Sequence, residues 1–269
     1  MQRSHTLVSL ITTALLAACN AVSAEPLRIG GTGSAIETMR FIGGKFAATD
    51  EAQLEIIPSL GSTGGLRALE AGMLDIAVSG RRLNESELAK GFVVLAAVRS
   101  PWGLATSHSQ PNGVQSALVA DIFRDPQARW SDGTPIRVIL RPKGDSENQT
   151  LTEAFPGMGA ALEQLRTRRD LPIAATDQDN AELAELIPGS LVSITYTQMM
   201  MERRRLRQIA IDGVEPTFDS FASGRYPFGK TLYFVTVGAN PVALRFTAYL
   251  TSAPGQDALR QTGNLLAPR

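Results

Sequence analysis

Leu27-Arg28-Ile29-Gly30-Gly31-Thr32-Gly33-Ser34 carries a short apolar strand straight into a turn of Gly, Thr and Ser, and a helical pattern follows from Ala35. The same order returns twice. Leu54-Glu55-Ile56-Ile57 leads into Gly61-Ser62-Thr63-Gly64-Gly65, and Arg137-Val138-Ile139-Leu140-Arg141 leads into Gly144-Asp145-Ser146. A helix N-terminus carries unpaired N–H groups and the positive end of the macrodipole. Glycine lets the backbone approach a ligand closely, and Ser or Thr adds a hydroxyl. Several such ends aimed at one point would hold an anion with no metal or cofactor.

Outward from these turns, strand and helix patterns alternate, which predicts an α/β fold with largely parallel sheets. Residues 35–47 read as a helix whose apolar face is Ile36, Met39, Phe41, Ile42 and Phe46. Residues 63–71 start another, stopped by Gly72. Residues 93–97 and 103–106 bracket Pro101, where a change of direction is expected. Residues 136–140, 190–196, 209–211 and 232–236 read as strands, and residues 118–123, 146–154, 177–186, 242–250 and 256–261 as helices. Asp177 stands in cap position for its helix, and Asp145 or Ser146 for theirs.

Bulk properties narrow the function. Arg3, an apolar run at 7–18 and Val22-Ser23-Ala24 read as an export signal over residues 1–24. A second reading stays open: Leu16-Ala17-Ala18-Cys19 resembles a lipobox ending at Cys19, which would then carry lipid. Without the leader, 25 basic residues face 26 acidic ones, so no basic field for nucleic acid exists. The ~245 remaining residues suffice for one large or two medium domains. Cys19 is the sole cysteine, which removes disulfides and thiol chemistry from the mature chain. Beyond the leader the one histidine is His108, read as a surface loop residue. A multi-His metal site is therefore not available. Gly30-Gly31-Thr32-Gly33 could open a dinucleotide fingerprint, but Ile36 stands where that motif needs glycine.

Taken in order, the motifs resemble the phosphate-type periplasmic binding proteins of ABC transporters. The matching stretches are 29–34, 61–69, 75–83, 118–130, 141–146 and 226–234, with Phe246-Thr247-Ala248-Tyr249-Leu250 and Ser252-Ala253-Pro254-Gly255-Gln256 near the end. The resemblance implies a two-lobed type II fold, each lobe a mostly parallel sheet flanked by helices, with the ligand in the cleft between them. It places residues 26–98 and 235–269 in lobe one, and residues 99–234, crossover strands included, in lobe two. It also implies an extracytoplasmic, periplasmic monomer that captures a small oxyanion, phosphate or a phosphate-like group, for an ABC permease, without cofactor or catalysis.

Carried over residue by residue, the resemblance assigns the first turn to Thr32, Gly33 and Ser34, and the second to Ser62 with Thr63 beside it. Arg141 is the anion-binding arginine, and Ser146 adds a hydroxyl. Three departures from the family stand out. Gly80 replaces an Asp that many relatives carry, Arg81 follows it, and Asp145-Ser146-Glu147 replaces Ser-Gly-Thr. Asp145 is read either as a helix cap or as the acceptor of a ligand proton, and Glu147 as a first-turn helix charge. Two other functions remain: a sensory or accessory binding module not coupled to transport, and a phosphoester hydrolase. The hydrolase is disfavoured by the single mature histidine and the lack of a carboxylate motif.

Overall fold

In the computed structural model, which describes residues 26–50 and 52–267, the opening apolar stretch is a strand in which Ile29 is wholly buried. The leader, with Cys19, lies outside the described residues. The described strands are β1 (Leu27–Gly31), β2 (Leu54–Ile56), β3 (Ile76–Ser79), β4 (Phe92–Thr106) and β5 (Arg137–Val138). They continue with β6 (Ser190–Thr195), β7 (Arg207–Gln208), β8 (Gly229–Val237) and β9 (Leu265–Leu266). Their sheet order is β2-β1-β3-β8-β4-β6-β5, with β7 and β9 also pairing to β4.

β1 is parallel to β2 and to β3, as β5 is to β6. Parallel neighbours need crossovers, and the helices Ile36–Asp50 and Gly61–Glu70 supply them. The first buries Met39, Ile42 and Phe46 at helical spacing against Ile29, Ile76, Phe234 and Phe246. Phe46 meets Phe246 edge-to-face at 5.3 Å. Each such side chain contributes about 1.5–3 kcal/mol by burial. The second helix begins at Gly61, two residues before the expected start. Its Gly65 lies directly on Gly31, which has φ +131°; a Cβ on Gly65 would stand 2.6 Å from the Gly31 Cα. Both turn glycines allow this close backbone packing.

A second core gathers Trp102, Leu104, Phe123, Phe155, Leu162, Leu191 and Tyr226. Ala181, Ala184, Val192 and Ile194 form a smaller cluster under the helix Asp177–Leu186. β4 serves both main cores, with Val98 in the first and Trp102 and Leu104 in the second; β8 gives Leu232 and Phe234 to the first, and Phe228 just before it packs on the second. The antiparallel pairing of β8 with β3 and β4, and of β4 with β6, joins the parallel ladders of the two lobes.

Several local expectations are corrected. The chain does not change direction at Pro101; β4 runs unbroken for 15 residues through it, with Pro101 opposite Gly229. The missing N–H is tolerated because the next residue, Trp102, donates to the Phe228 carbonyl at 3.2 Å. Only Arg137–Val138 of the 136–140 segment is laddered, and the 209–211 strand is displaced to Arg207–Gln208. The helix Met158–Leu165, unforeseen, packs Met158, Leu162 and Leu165 into the second core. His108 is buried, not a surface residue: its ring stacks on Trp130 at 5.2 Å and its Nε2 lies 3.0 Å from Asp132.

Candidate functional site

The three turns do converge. Thr32, Ser34, Ser62 and Gly80 come from elements of the first core. Arg141, Asp145, Ser146 and Asp177 come from the second, and Lys230 lies on β8. Thr32, Ser34, Ser62, Arg141, Asp177 and Lys230 are all buried. Hydrogen bonds cross between the two groups. Ser62 and Ser146 hydroxyls lie 3.3 Å apart, and Gln178 Nε2 donates to the Gly33 carbonyl at 3.0 Å.

The centre of the cluster is the Asp177 carboxylate. Oδ2 accepts from the Ser34 N–H at 3.0 Å and from the Thr32 hydroxyl at 3.2 Å. Oδ1 stands 3.8 Å from Arg141 Nη2. Burial alone would push this carboxyl up. The charges of Lys230 and Arg141, with the Ser34 and Thr32 hydrogen bonds, outweigh burial and hold it below the usual range. Asp177 is not the helix cap expected from its position. Thr176 caps that helix in a reciprocal box with Asp179, which leaves Asp177 free to reach across.

Arg141 is 4% exposed. Its Nη1 donates to the Ala174 carbonyl at 3.1 Å and its Nη2 to Asp145 at 2.7 Å. Its buried Nε has no hydrogen-bond partner among the described residues. Asp145 does two things at once: one oxygen binds Arg141, the other accepts from the Glu147 N–H at 2.8 Å as the helix cap. Below them Glu147 is buried between Lys230 Nζ and Trp102 Nε1, each at 2.5 Å. Burial pulls the Lys230 pKa down, but Glu147, Asp177 and Asp145 raise it above its ordinary value.

Gly80 sits in the wall: a Cβ there would meet Lys230 Cε at 3.0 Å and Ser146 Oγ at 3.1 Å, so no larger side chain fits without moving them. Its N–H donates to Ser62 Oγ at 2.8 Å. Arg81 is turned to Glu87, paired through both terminal nitrogens at 2.9 and 2.7 Å, and makes no contact with Arg141 or Asp177. It lines a small cavity of about 110 Å³ together with Gly80, Gln149, Thr150 and Lys230. Thr63 is exposed on its helix, apart from the cluster.

Larger hollows exist, about 1130 Å³ beside Val94, Arg99 and Tyr233 and about 610 Å³ beside Leu104, Trp130 and Ile136. Neither includes a residue of the cluster. Convergent, buried polar groups mark the site better than volume does. Among the described residues no group of three or more His, Cys, Asp or Glu is placed to hold a metal.

Motif reading missed Lys230, Glu147 as a core charge, Trp102 as a donor, and Asp177 as the centre. One signal was available: Lys230 is the lone charge in Phe228-Gly229-Lys230-Thr231-Leu232-Tyr233-Phe234, and a charge inside an apolar strand must find a buried partner.

No curated protein matches the sequence. Solved structures match the fold. A Clostridium perfringens protein assigned to phosphate ABC transport and solved with bound phosphate superposes with a TM-score of 0.76 at 19% identity, covering 90% of this chain and 100% of its own. An ABC-type phosphate transport receptor from Vibrio cholerae gives 0.61 at 17% identity, with 90% and 100% covered. The periplasmic molybdate-binding protein of Azotobacter vinelandii gives 0.56 at 12% identity, with 90% and 100% covered. The sequence itself matches the PBP superfamily domain over residues 18–254. With that match spanning most of its length, the chain belongs to the periplasmic binding protein (PBP) superfamily, a family of binding proteins rather than of enzymes.

Proposed function

We propose that this protein captures a small tetrahedral oxyanion, phosphate or a phosphate-like group, in the cleft between its lobes. One observation carries the reading. The seat formed by the Ser34 N–H, the Thr32 hydroxyl and Arg141 already holds an oxyanion, the carboxylate of Asp177. A free oxyanion placed there gains a helix N-terminus and the guanidinium, whose Nε has no hydrogen-bond partner among the described residues. Ser62 and Ser146 supply hydroxyls from opposite lobes. The relatives described as phosphate and molybdate binders support the class of ligand.

On this reading Thr32, Gly33, Ser34, Ser62, Arg141, Asp145 and Ser146 bind the ligand, Gly80 shapes the wall, and Arg81 and Thr63 stand outside. Residues 26–98 with 235–269, and residues 99–234, move as two lobes about β4 and β8. The partner is an ABC permease, and the setting is the periplasm, reached through the leader. Export would leave either lipidated Cys19 or free Glu25 as the first residue.

Calorimetry of the purified protein against phosphate, sulfate, phosphonates and small carboxylates tests the ligand class. Arg141→Ala is expected to lose tenfold or more in oxyanion affinity while staying folded, since a charge-assisted hydrogen bond contributes about 1.5–3 kcal/mol. Unchanged affinity in that variant would remove Arg141 from the site, and no uptake of any oxyanion by wild type would overturn the reading.

A further inference from the structure

Two of the three helix N-termini that the turns offer to an anion are filled by the chain's own carboxylates. Asp145 takes the N–H of Glu147 on its own helix, an ordinary cap. Asp177 is different. It reaches from the second lobe to the first and lands on the Ser34 N–H and Thr32 hydroxyl. Its own helix does not need it, because Thr176 and Asp179 already form the capping box. The neighbouring Gln178 reinforces the reach by donating to the Gly33 carbonyl.

The charge count points the same way. Two cations, Arg141 and Lys230, face three carboxylates, Asp145, Glu147 and Asp177. Lys230 is spent on Glu147 and Arg141 is shared between Asp145 and Asp177. A second oxyanion added to this closed arrangement would meet an excess of negative charge, with the Ser34 N–H and the Thr32 hydroxyl already engaged by Asp177.

We propose that Asp177 is a tethered anion that occupies the oxyanion seat of the ligand-free protein, and that the ligand enters by displacing it. The inference rests on the oxyanion-capture reading for its ligand, though the self-contact stands on its own geometry. A group held on a short rigid helix competes at a high effective concentration. It therefore weakens the apparent affinity for every external oxyanion and holds the lobes together when none is present. Exchange of one oxyanion for another keeps the donors of Ser34, Thr32 and Arg141 satisfied throughout, so neither state leaves them unpaired.

The test compares wild type with Asp177→Asn, which keeps the shape, and with Asp177→Ala, which removes the group; circular dichroism checks that each is folded. Ligand-free proteins are measured by small-angle scattering, and each is titrated with inorganic phosphate and with sulfate by calorimetry. The expected result is a more open ligand-free variant and a tenfold or greater gain in affinity for both anions. Weaker binding in the variants would make Asp177 a ligand contact and overturn the proposal, as would unchanged scattering together with unchanged affinity. If no protein takes up either anion yet the variants open, the tether stands and the capture reading fails.

Discussion

Gly33 lies against side chains that reach it from the helix Asp177–Leu186. A Cβ at this position would collide with Gln178 Oε1, and would stand 2.8 Å from Ser59 Oγ and 2.9 Å from Asp177 Oδ2. Gly33→Ala is therefore expected to expel the Asp177 and Gln178 side chains and leave each core intact. Small-angle scattering of the ligand-free variant should show a larger radius of gyration than wild type; an unchanged radius would mean that these contacts do not hold the cleft. Lys230 gives a second prediction. Removing one partner of a buried pair leaves an uncompensated charge and costs about 3–5 kcal/mol. Lys230→Met should lose about that much in chemical denaturation, and Lys230→Met with Glu147→Gln should recover a large part. Equal losses in the single and double variants would contradict the pairing. Residues such as Thr32, Ser34, Ser62, Arg141 and Ser146 were legible because each stands in a turn whose chemistry is local. Lys230, Glu147 and Asp177 were not, because their roles appear only when β8 and two distant helices are brought together.

At the scale of elements, the order of strands and helices could be read because each crossover carries its own apolar stripe and stop signal, as in the helix Ile36–Asp50 with Met39, Ile42 and Phe46. The misreadings have physical causes. Pro101 looked like a break, yet its place in the ladder needs no donor there. Asp177 looked like a cap because Asp is a good one, but Thr176 won the position and freed the carboxylate. That freedom makes the interlobe latch pH-dependent. The Asp177 pKa is depressed on folding, so its contribution is present above the unfolded carboxylate value of about 3.9 and is lost as pH falls through the lower folded value. The Lys230 pKa is raised, so its contribution is full below about 10.4 and is lost as pH rises through the higher folded value. Denaturant midpoints should form a plateau between these limits and fall at both ends. Asp177→Asn should lose part of the acid fall; an acid limb identical to wild type would contradict the role given to this carboxylate.

For the whole molecule, two cores are joined by β4, which contributes side chains to both, and by β8, which pairs along β4 and leads from Phe228 at the second core into the first. Such a pair can bend while each core stays packed, the usual basis of hinge closure around a ligand. Among the described residues no helix is long and apolar enough to cross a membrane. The two-lobed layout came from the order of motifs, not from periodicity, because a lobe assembled from both ends of the chain leaves no local trace. Uptake of a free oxyanion by the seat between Ser34, Thr32 and Arg141 is the property from which the proposed function follows. The most direct measurement is a crystal structure of the protein with saturating phosphate. A tetrahedral anion should lie within hydrogen-bond distance of the Ser34 N–H, the Thr32 hydroxyl and Arg141 Nε, with the Asp177 carboxylate moved off the seat. A structure with the anion bound elsewhere, or with Asp177 still on the Ser34 N–H at saturating phosphate, would contradict the account.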